Sequence, residues 1–136
     1  MITLQNYIDS FKENSIKITP QRVSIFKIIE GNTSHPSAED IYQEIVKVNP
    51  NISFATVYNT LDKLCELNLL LKLNIENNKK HYDPNTNQHH HFLCKKCKKI
   101  VDIFDDFKIE PTGKLIEKAK VDGYQINFYG ICSECI

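Results

Sequence analysis

The sequence Cys-Lys-Lys-Cys at residues 94–97 is matched in spacing by Cys-Ser-Glu-Cys at residues 132–135. Each C-x-x-C pair can offer two thiolates to one tetrahedral metal ion, and zinc is the ion that most prefers four thiolates in a closed shell. We therefore predict a structural zinc site made of Cys94, Cys97, Cys132 and Cys135. A closed site of this kind stabilises a fold but does not explain a function, and it ties the end of the chain to its middle.

The same four cysteines are also compatible with two disulfides. The sequence from Met1 opens directly into an amphipathic pattern, so we expect no targeting segment and a cytoplasmic protein. Disulfides are rare in the reducing cytosol, which favours zinc over the disulfide alternative.

Length and charge limit the possible classes of protein. A chain of 136 residues fits one medium domain or two small ones, and no apolar run approaches the ~20 residues that a membrane-spanning helix needs. The 17 basic and 17 acidic side chains give a net charge of zero, whereas nucleic-acid-binding domains usually carry a basic excess. Any contact with DNA therefore has to come from the local placement of charge.

The first part of the chain has the pattern of helices followed by a hairpin. Thr19 precedes Pro20 at a strong helix start, and Ser37 and Ser53 stand as N-caps before two further helices. Residues 69–75 and 80–83 resemble strands joined by an Asn-Asn turn. Helices closed by a two-stranded hairpin match a winged helix, and we place this domain at residues 1–83 and a second one at 84–136.

Helical spacing gives an expected apolar face for each of the four helices. These faces are Leu4, Tyr7, Ile8 and Phe11; Val23, Phe26 and Ile29; Ile41, Ile45 and Val48; and Phe54, Val57, Leu61, Leu64 and Cys65.

The fourth helix immediately precedes the hairpin, so in a winged helix it would enter the DNA major groove. Asn59 can pair bidentately with adenine, and Ala55 and Thr56 can contact thymine methyl groups, which indicates an A/T-rich site. Ser53 and Tyr58 can donate to phosphates, and Arg22 in the second helix is placed for a phosphate contact. The alternatives are a polar helix face that is merely solvated and, for Arg22, a surface ion pair.

A second set of metal-binding side chains begins with His-His-His at residues 89–91. In an extended segment His89 and His91 share one face, and His90 points to the other. With His35, Asp83 and Asp102 they make a nitrogen and oxygen set suited to Fe(II), Mn(II) or zinc. Alone, each of His35, Asp83 and Asp102 could also be a cap or surface residue. We expect His81 and His90 to be exposed and without a role.

Several ordered strings resemble the ferric uptake regulator (Fur) family across essentially the whole chain. They are Ile-Thr-Pro-Gln-Arg at 18–22, His-Pro-Ser-Ala-Glu-Asp-Ile-Tyr at 35–42, Ser-Phe-Ala-Thr-Val-Tyr at 53–58, His-x-His-x-x-Cys-x-x-Cys at 89–97 and Tyr-Gly-x-Cys-x-x-Cys at 129–135. The resemblance implies an α+β protein with an N-terminal winged-helix DNA-binding domain and a C-terminal α/β dimerisation domain.

By this resemblance the chain is a homodimeric transcription regulator with structural Zn²⁺ on the four cysteines, and not an enzyme. The family's regulatory ligands fall on His35, Asp83, His89, His91 and Asp102, where Fe²⁺ or Mn²⁺ would bind. Its partner would be an A/T-rich palindromic operator in double-stranded DNA.

Two positions resemble the peroxide-responsive branch of the family. Asp102 stands where iron-uptake regulators usually have Glu, and Asn59 stands where they tend to have Arg. The family's oxidisable histidines would be His35 and His89. The segment at 123–130 departs from the family because it is several residues shorter and lacks a histidine that some relatives use for another metal.

Three rival functions follow from the same residues. An iron-uptake or zinc-uptake regulator would respond only to metal level. Two histidines and a carboxylate also describe a mononuclear iron oxygenase, although the sequence has no evident cosubstrate motif. A zinc-storage module would leave the N-terminal helices unexplained.

Overall fold

The computed structural model describes residues 1–114 and 116–136. The chain divides into two compact units, Met1–Thr86 and Asn87–Ile136. The boundary lies three residues after the position at which the hairpin was expected to end.

The first unit consists of four helices and a hairpin. Its helices are α1 (Leu4–Glu13), α2 (Pro20–Ile29), α3 (Ala38–Val46) and α4 (Phe54–Glu66), and its strands are β1 (Leu71–Glu76) and β2 (Lys79–Asp83). The predicted N-caps Thr19, Ser37 and Ser53 are confirmed, since each side chain accepts a hydrogen bond from a backbone N–H of the first turn. These hydrogen bonds satisfy donors that a helix start leaves unpaired.

The core of the first unit is assembled from one face of each helix. Tyr7 and Phe11 of α1 pack on Phe26 of α2, with ring centroids 5.6 and 4.9 Å apart. Burial of each large apolar side chain contributes about 1.5–3 kcal/mol before entropy costs are subtracted. The buried apolar residues of this core are Tyr7, Phe11, Ile25, Phe26, Ile29, Ala38, Ile41, Ile45, Ile52, Val57, Leu61, Leu64, Leu70 and Tyr82.

Two positions of the expected apolar faces are exposed, and a third is only half-buried. Val48 lies beyond the end of α3 and is 76% exposed, and Phe54 at the start of α4 is 38% exposed. In α2 the buried apolar residues are Ile25, Phe26 and Ile29, whereas Val23 is half-buried. Thr60 is also buried in α4, and its hydroxyl is satisfied by donating to the Thr56 carbonyl one turn earlier.

The hairpin is antiparallel, with Leu71 opposite Asp83 and Leu73 opposite His81. The register is irregular between Leu73 and Glu76, next to a two-residue turn in which Asn78 adopts a left-handed φ of 61°. The hairpin follows α4 directly, which is the order of elements expected for a winged helix.

The second unit is built on a three-stranded sheet in which β3 (His90–Cys94) lies between β4 (Ile100–Ile103) and β5 (Asn127–Gly130). β4 is antiparallel to β3 and β5 is parallel to it. A parallel neighbour needs a long crossover, which residues 104–126 supply. The described residues of that crossover include turns but no helix or strand.

In the part of the chain that the structure describes, no helix combines the length and the apolar character that crossing a membrane requires.

Candidate metal centres and nucleic-acid interface

The four cysteines of the second unit come together. Cys94 ends β3, Cys97 lies in the turn that follows, and Cys132 and Cys135 lie just after β5, so the sheet brings both pairs to one end. The four sulfur atoms lie within 4.8 Å of one another, and all are free thiols, which contradicts the disulfide alternative.

The spacing of the sulfurs fits zinc. Four thiolates at the usual Zn–S distance of about 2.3 Å on a tetrahedron are separated by about 3.8 Å. The Sγ atoms of Cys97 and Cys132 are 3.8 Å apart. The backbone N–H groups of Cys97 and Cys132 each donate to the Cys94 sulfur at 3.4 Å, which orients that sulfur toward the other three.

Proton affinities in the cluster also favour a cation. The backbone N–H of Cys132, and next that of Cys97, lower the pKa of the Cys94 thiol to about 6. Hydrogen bonds to the side chains of Cys132 and Cys97 raise the pKa of Cys135 to about 12. The Cys94 thiolate therefore forms readily, whereas Cys135 keeps the proton that it shares with neighbouring sulfurs until a cation replaces it.

In the second unit, two imidazole rings lie close to the same carboxylate oxygen. The Asp102 Oδ1 atom lies 3.1 Å from Nε2 of His89 and 3.1 Å from Nε2 of His91. The strand pairing accounts for this arrangement, since His91 and Asp102 are direct partners across β3 and β4. Both histidine side chains are fully shielded from solvent, so nitrogen and oxygen donors converge in a dry environment.

The other ring nitrogens of these histidines have orienting partners. The Nδ1 atom of His89 is 2.7 Å from the Asn87 carbonyl, which can only accept, so the proton is on Nδ1 and Nε2 is left as a possible metal ligand. The amide nitrogen of Gln125 lies 3.1 Å from Nδ1 of His91. Sequence reasoning missed Gln125, because a lone glutamine in a connecting segment gives no signal.

In the first unit, His35 and Asp83 form a buried pair. The Nε2 atom of His35 is 3.4 Å from Oδ2 of Asp83, and the two residues are only 3% and 2% exposed. The other oxygen of Asp83 accepts the N–H of Asn85 at 2.9 Å. His35 has a left-handed φ of 52°, which is uncommon for a residue with a side chain.

The expectation that His81 and His90 are exposed is wrong, since they are 7% and 2% exposed. His90 accepts the Ile126 N–H at 3.0 Å and stacks on Tyr124 with ring centroids 5.2 Å apart. Its ring is therefore used in joining β3 to the crossover. His81 contacts the His35 carbonyl and Glu76. Its position two residues before Asp83 on a strand was the signal available in the sequence.

The start of α4 presents the side chains expected to read DNA. Ser53, Ala55 and Asn59 are exposed, and Thr56 and Tyr58 are half-buried. The Ser53 hydroxyl is held by its capping bond from the Thr56 N–H and lies 2.9 Å from the Thr56 hydroxyl. Ser53 therefore has a capping role in addition to any contact with phosphate.

Arg22 of α2 contacts the exposed side of α4 through Asn59. Its guanidinium donates to the Lys17 carbonyl at 2.7 Å and to the Asn59 side-chain oxygen at 3.2 Å, and it lies over the Phe11 ring. Arg22 thus fixes the orientation of the Asn59 amide on α4. This contact is not the carboxylate ion pair that the sequence left open as an alternative.

The hairpin is tied to α4 from the other side. The Lys72 ammonium of β1 donates to Asp62 of α4 at 2.9 Å and lies over the ring of Tyr58. That hydrogen bond is the first cause of the raised pKa of Lys72. Helix and hairpin are therefore linked by a charged contact as well as by the core.

The ferric uptake regulator family model matches residues 13–129. The chain is 34% identical to the peroxide-responsive repressor PerR of Staphylococcus epidermidis, over 97% of this chain and 89% of that protein.

The chain is also similar to solved structures of regulators. The Campylobacter jejuni peroxide stress regulator is 30% identical with a TM-score of 0.65, covering 94% of this chain and 98% of that one. The fold is also that of the Helicobacter pylori ferric uptake regulator Fur, which has a TM-score of 0.77 at 24% identity over 98% of this chain and 93% of that one. The order of helices, hairpin and four-cysteine sheet, together with these matches, shows that the chain belongs to the ferric uptake regulator family.

Proposed function

We propose that this protein is a metal-dependent DNA-binding repressor that senses peroxide in the cytoplasm. The observation that carries the proposal is the convergence of two shielded imidazoles on one oxygen of Asp102. An arrangement of this kind needs a proton or a metal ion among its donors, and a nitrogen and oxygen set suits Fe(II) or Mn(II). Relatives about one-third identical are named as peroxide-responsive repressors.

The regulatory metal would take its ligands from His35, Asp83, His89, His91 and Asp102. All five match the family's pattern, and within each unit the donors are already in mutual contact. The four cysteines would hold a separate structural zinc, so their thiolates would be protected from oxidation. Bound Fe(II) would supply one-electron chemistry toward peroxide, which Mn(II) does not readily support.

Metal would control DNA binding because its ligands come from both units of the chain. An ion that binds one arrangement of the units more tightly shifts the population toward it. In a homodimer the two α4 helices must match the fixed spacing of two half-sites, so only one arrangement reads both. The proposed operator is an A/T-rich palindrome contacted by Arg22, Ser53, Ala55, Thr56, Tyr58 and Asn59.

Loss of a histidine ligand would release the DNA. In the proposed reaction, one oxygen atom of peroxide is added to the imidazole of His35 or His89, and the other leaves as water. The modified ring is a poorer ligand, so the metal-bound arrangement loses its advantage and the affinity for the operator falls.

The deciding experiment is a DNA-binding assay before and after a peroxide pulse, with Fe(II)-loaded and Mn(II)-loaded protein. The iron form should lose DNA binding and gain one oxygen, whereas the manganese form should keep both its mass and its affinity. Trypsin places His35 as the single histidine of peptide 28–47, and fragmentation of peptide 81–95 separates His89 from its neighbours. His90 serves as an internal control, since it is buried in the same peptide but packs on Tyr124.

Oxidation confined to the cysteines would overturn peroxide sensing through histidine. Equal insensitivity of the iron and manganese forms, with DNA binding that still requires metal, would instead assign the chain to metal-level sensing as an iron-uptake or zinc-uptake regulator.

A further inference from the structure

His81 is the buried histidine of the first unit that the proposed ligand set leaves unused. Its Nδ1 atom lies 2.7 Å from the carbonyl oxygen of His35, and its Nε2 atom lies 2.8 Å from a carboxylate oxygen of Glu76. A carbonyl oxygen can only accept, so Nδ1 carries a proton and donates it. The contact between Nε2 and the Glu76 carboxylate orients the ring. Nδ1 therefore connects the hairpin to the loop before α3, whereas Nε2 connects β2 to β1 within the hairpin.

The carbonyl that His81 holds belongs to a residue in an unusual conformation. His35 has a φ of 52°, a left-handed value that is disfavoured for a residue with a Cβ and persists where the surroundings enforce it. The next residue, Pro36, is also bound to β2, since the Tyr82 N–H donates to the Pro36 carbonyl at 2.9 Å. The His81 side chain adds a second contact between β2 and this loop, through the His35 carbonyl.

His81 and Asp83 act on His35 from the same face of β2, because residues two apart on a strand point to the same side. Asp83 faces the His35 ring at 3.4 Å, and His81 binds the His35 main chain. Glu76 is opposite Lys79 across the hairpin, which makes it a diagonal neighbour of His81 within reach of its ring. Glu76 and His81 thus form a chain of contacts that ends at the main chain of a proposed metal ligand, while Asp83 contacts the ring of that ligand.

We propose that His81, oriented by Glu76, is a positioning residue for the regulatory metal: it fixes the left-handed main chain of His35 and so presets that imidazole for coordination. This inference rests on the proposed function. Outer contacts that orient a metal-binding histidine commonly change metal affinity about 10–100-fold when they are removed. This role differs from the expectation that His81 is exposed and without a role.

The test compares His81→Phe with His81→Asn in the full chain. Phenylalanine fills the space but donates nothing, whereas the asparagine amide can still donate to the His35 carbonyl from near the Nδ1 position. We expect Mn(II) affinity, measured by calorimetry, to fall about 10-fold or more in His81→Phe and to be largely restored in His81→Asn. Glu76→Gln should give a smaller loss, and the matched control Glu44→Gln, which removes an exposed contact with Lys47, should give none.

A second readout needs no metal. In the metal-free protein, amide hydrogen exchange of residues 34–40 should accelerate in His81→Phe and return toward the parent rate in His81→Asn, with helices α1 and α4 unchanged. Should His81→Phe fail to fold, Glu76→Gln decides the matter: a Mn(II) affinity and an exchange rate at residues 34–40 that both equal those of the parent protein would overturn the positioning role.

Asp83→Ala separates the two hypotheses. If Asp83→Ala abolishes Mn(II) binding while His81→Phe binds within twofold of the parent protein, the positioning role is wrong and the proposed function stands. If Asp83→Ala leaves Mn(II) binding unchanged, the proposed regulatory site itself is wrong.

Discussion

The two candidate metal centres differ in how their ligands are supplied. The four cysteines all belong to the second unit and come in two fixed local spacings, so their geometry is set by one small sheet. The proposed histidine and aspartate ligands would be drawn from both units, since His35 and Asp83 lie in the first and His89, His91 and Asp102 in the second. A site confined to one unit can only stabilise that unit, whereas a site whose ligands are divided can report on the arrangement of two.

The largest expected effect tests the claim that the cysteine site is purely structural. Cys135→Ser should release zinc and unfold the second unit, because a structural zinc contributes on the order of 10–16 kcal/mol of metal-linked folding energy. The helical circular dichroism should largely remain, since the four helices found among the described residues lie in the first unit. Metal analysis and spectra of the purified variant measure both.

The control is the same substitution at a cysteine outside the site. Cys65 lies in α4, so Cys65→Ser should keep its zinc. A zinc-free Cys135→Ser protein with an intact dimer would show that the second unit does not depend on the metal.

Asp102→Asn is expected to separate the two centres. It removes the charge that His89 and His91 face, so Mn(II) affinity should drop by more than the about 10–100-fold typical of outer contacts. Zinc content should stay the same. Asp106→Asn is the matched control, since Asp106 is exposed in the same unit and contacts Tyr124. Parallel losses of both metals from Asp102→Asn would mean that the centres are not independent.

The local part of the architecture could be predicted because its causes are local. Thr19, Ser37 and Ser53 are caps within one turn of the groups they satisfy, and a C-x-x-C pair carries its spacing with it. The alternation of His89 and His91 about His90 also follows from strand geometry alone.

The wrong predictions concern contacts between residues that are far apart in the sequence. His81 is buried because the loop at His35 folds over it, and His90 because the crossover brings Tyr124 onto its ring. Phe54 satisfies the helical period but its ring packs against Tyr42 at the rim of the core, where it stays partly exposed. Periodicity identifies one face of a helix but not where the neighbouring elements end.

Cys65 is the cysteine outside the zinc site, and its reactivity can be compared with that of a small free thiol. Burial raises the pKa of its thiol from 9 to about 11, so at pH 8 its thiolate fraction falls about 100-fold, from about 10% to about 0.1%. Alkylation at pH 8 should slow by a similar factor relative to a small thiol. Because the folded pKa is raised, the contribution of this group to stability is present below about pH 9 and lost as pH rises toward 11. Rapid labelling of Cys65 in zinc-loaded protein would make it a competing target for peroxide.

The smallest expected effect concerns the DNA-reading surface of the first unit. Asn59→Ala should cost about 1–3 kcal/mol and relax the preference at one base position, because a bidentate contact to adenine is lost. Arg22→Ala should weaken binding to all sequences and reduce the salt dependence by about one phosphate contact. Since the Arg22 guanidinium donates to the Asn59 side chain, the double variant should lose less than the sum of the two single losses. Binding titrations on an A/T-rich palindrome and on a base-substituted copy, at two salt concentrations, measure all three quantities. An unchanged base preference in Asn59→Ala would mean that other residues of α4 read the bases. If the losses of the two single variants add up to that of the double variant, the contact between Arg22 and Asn59 does not contribute to DNA binding.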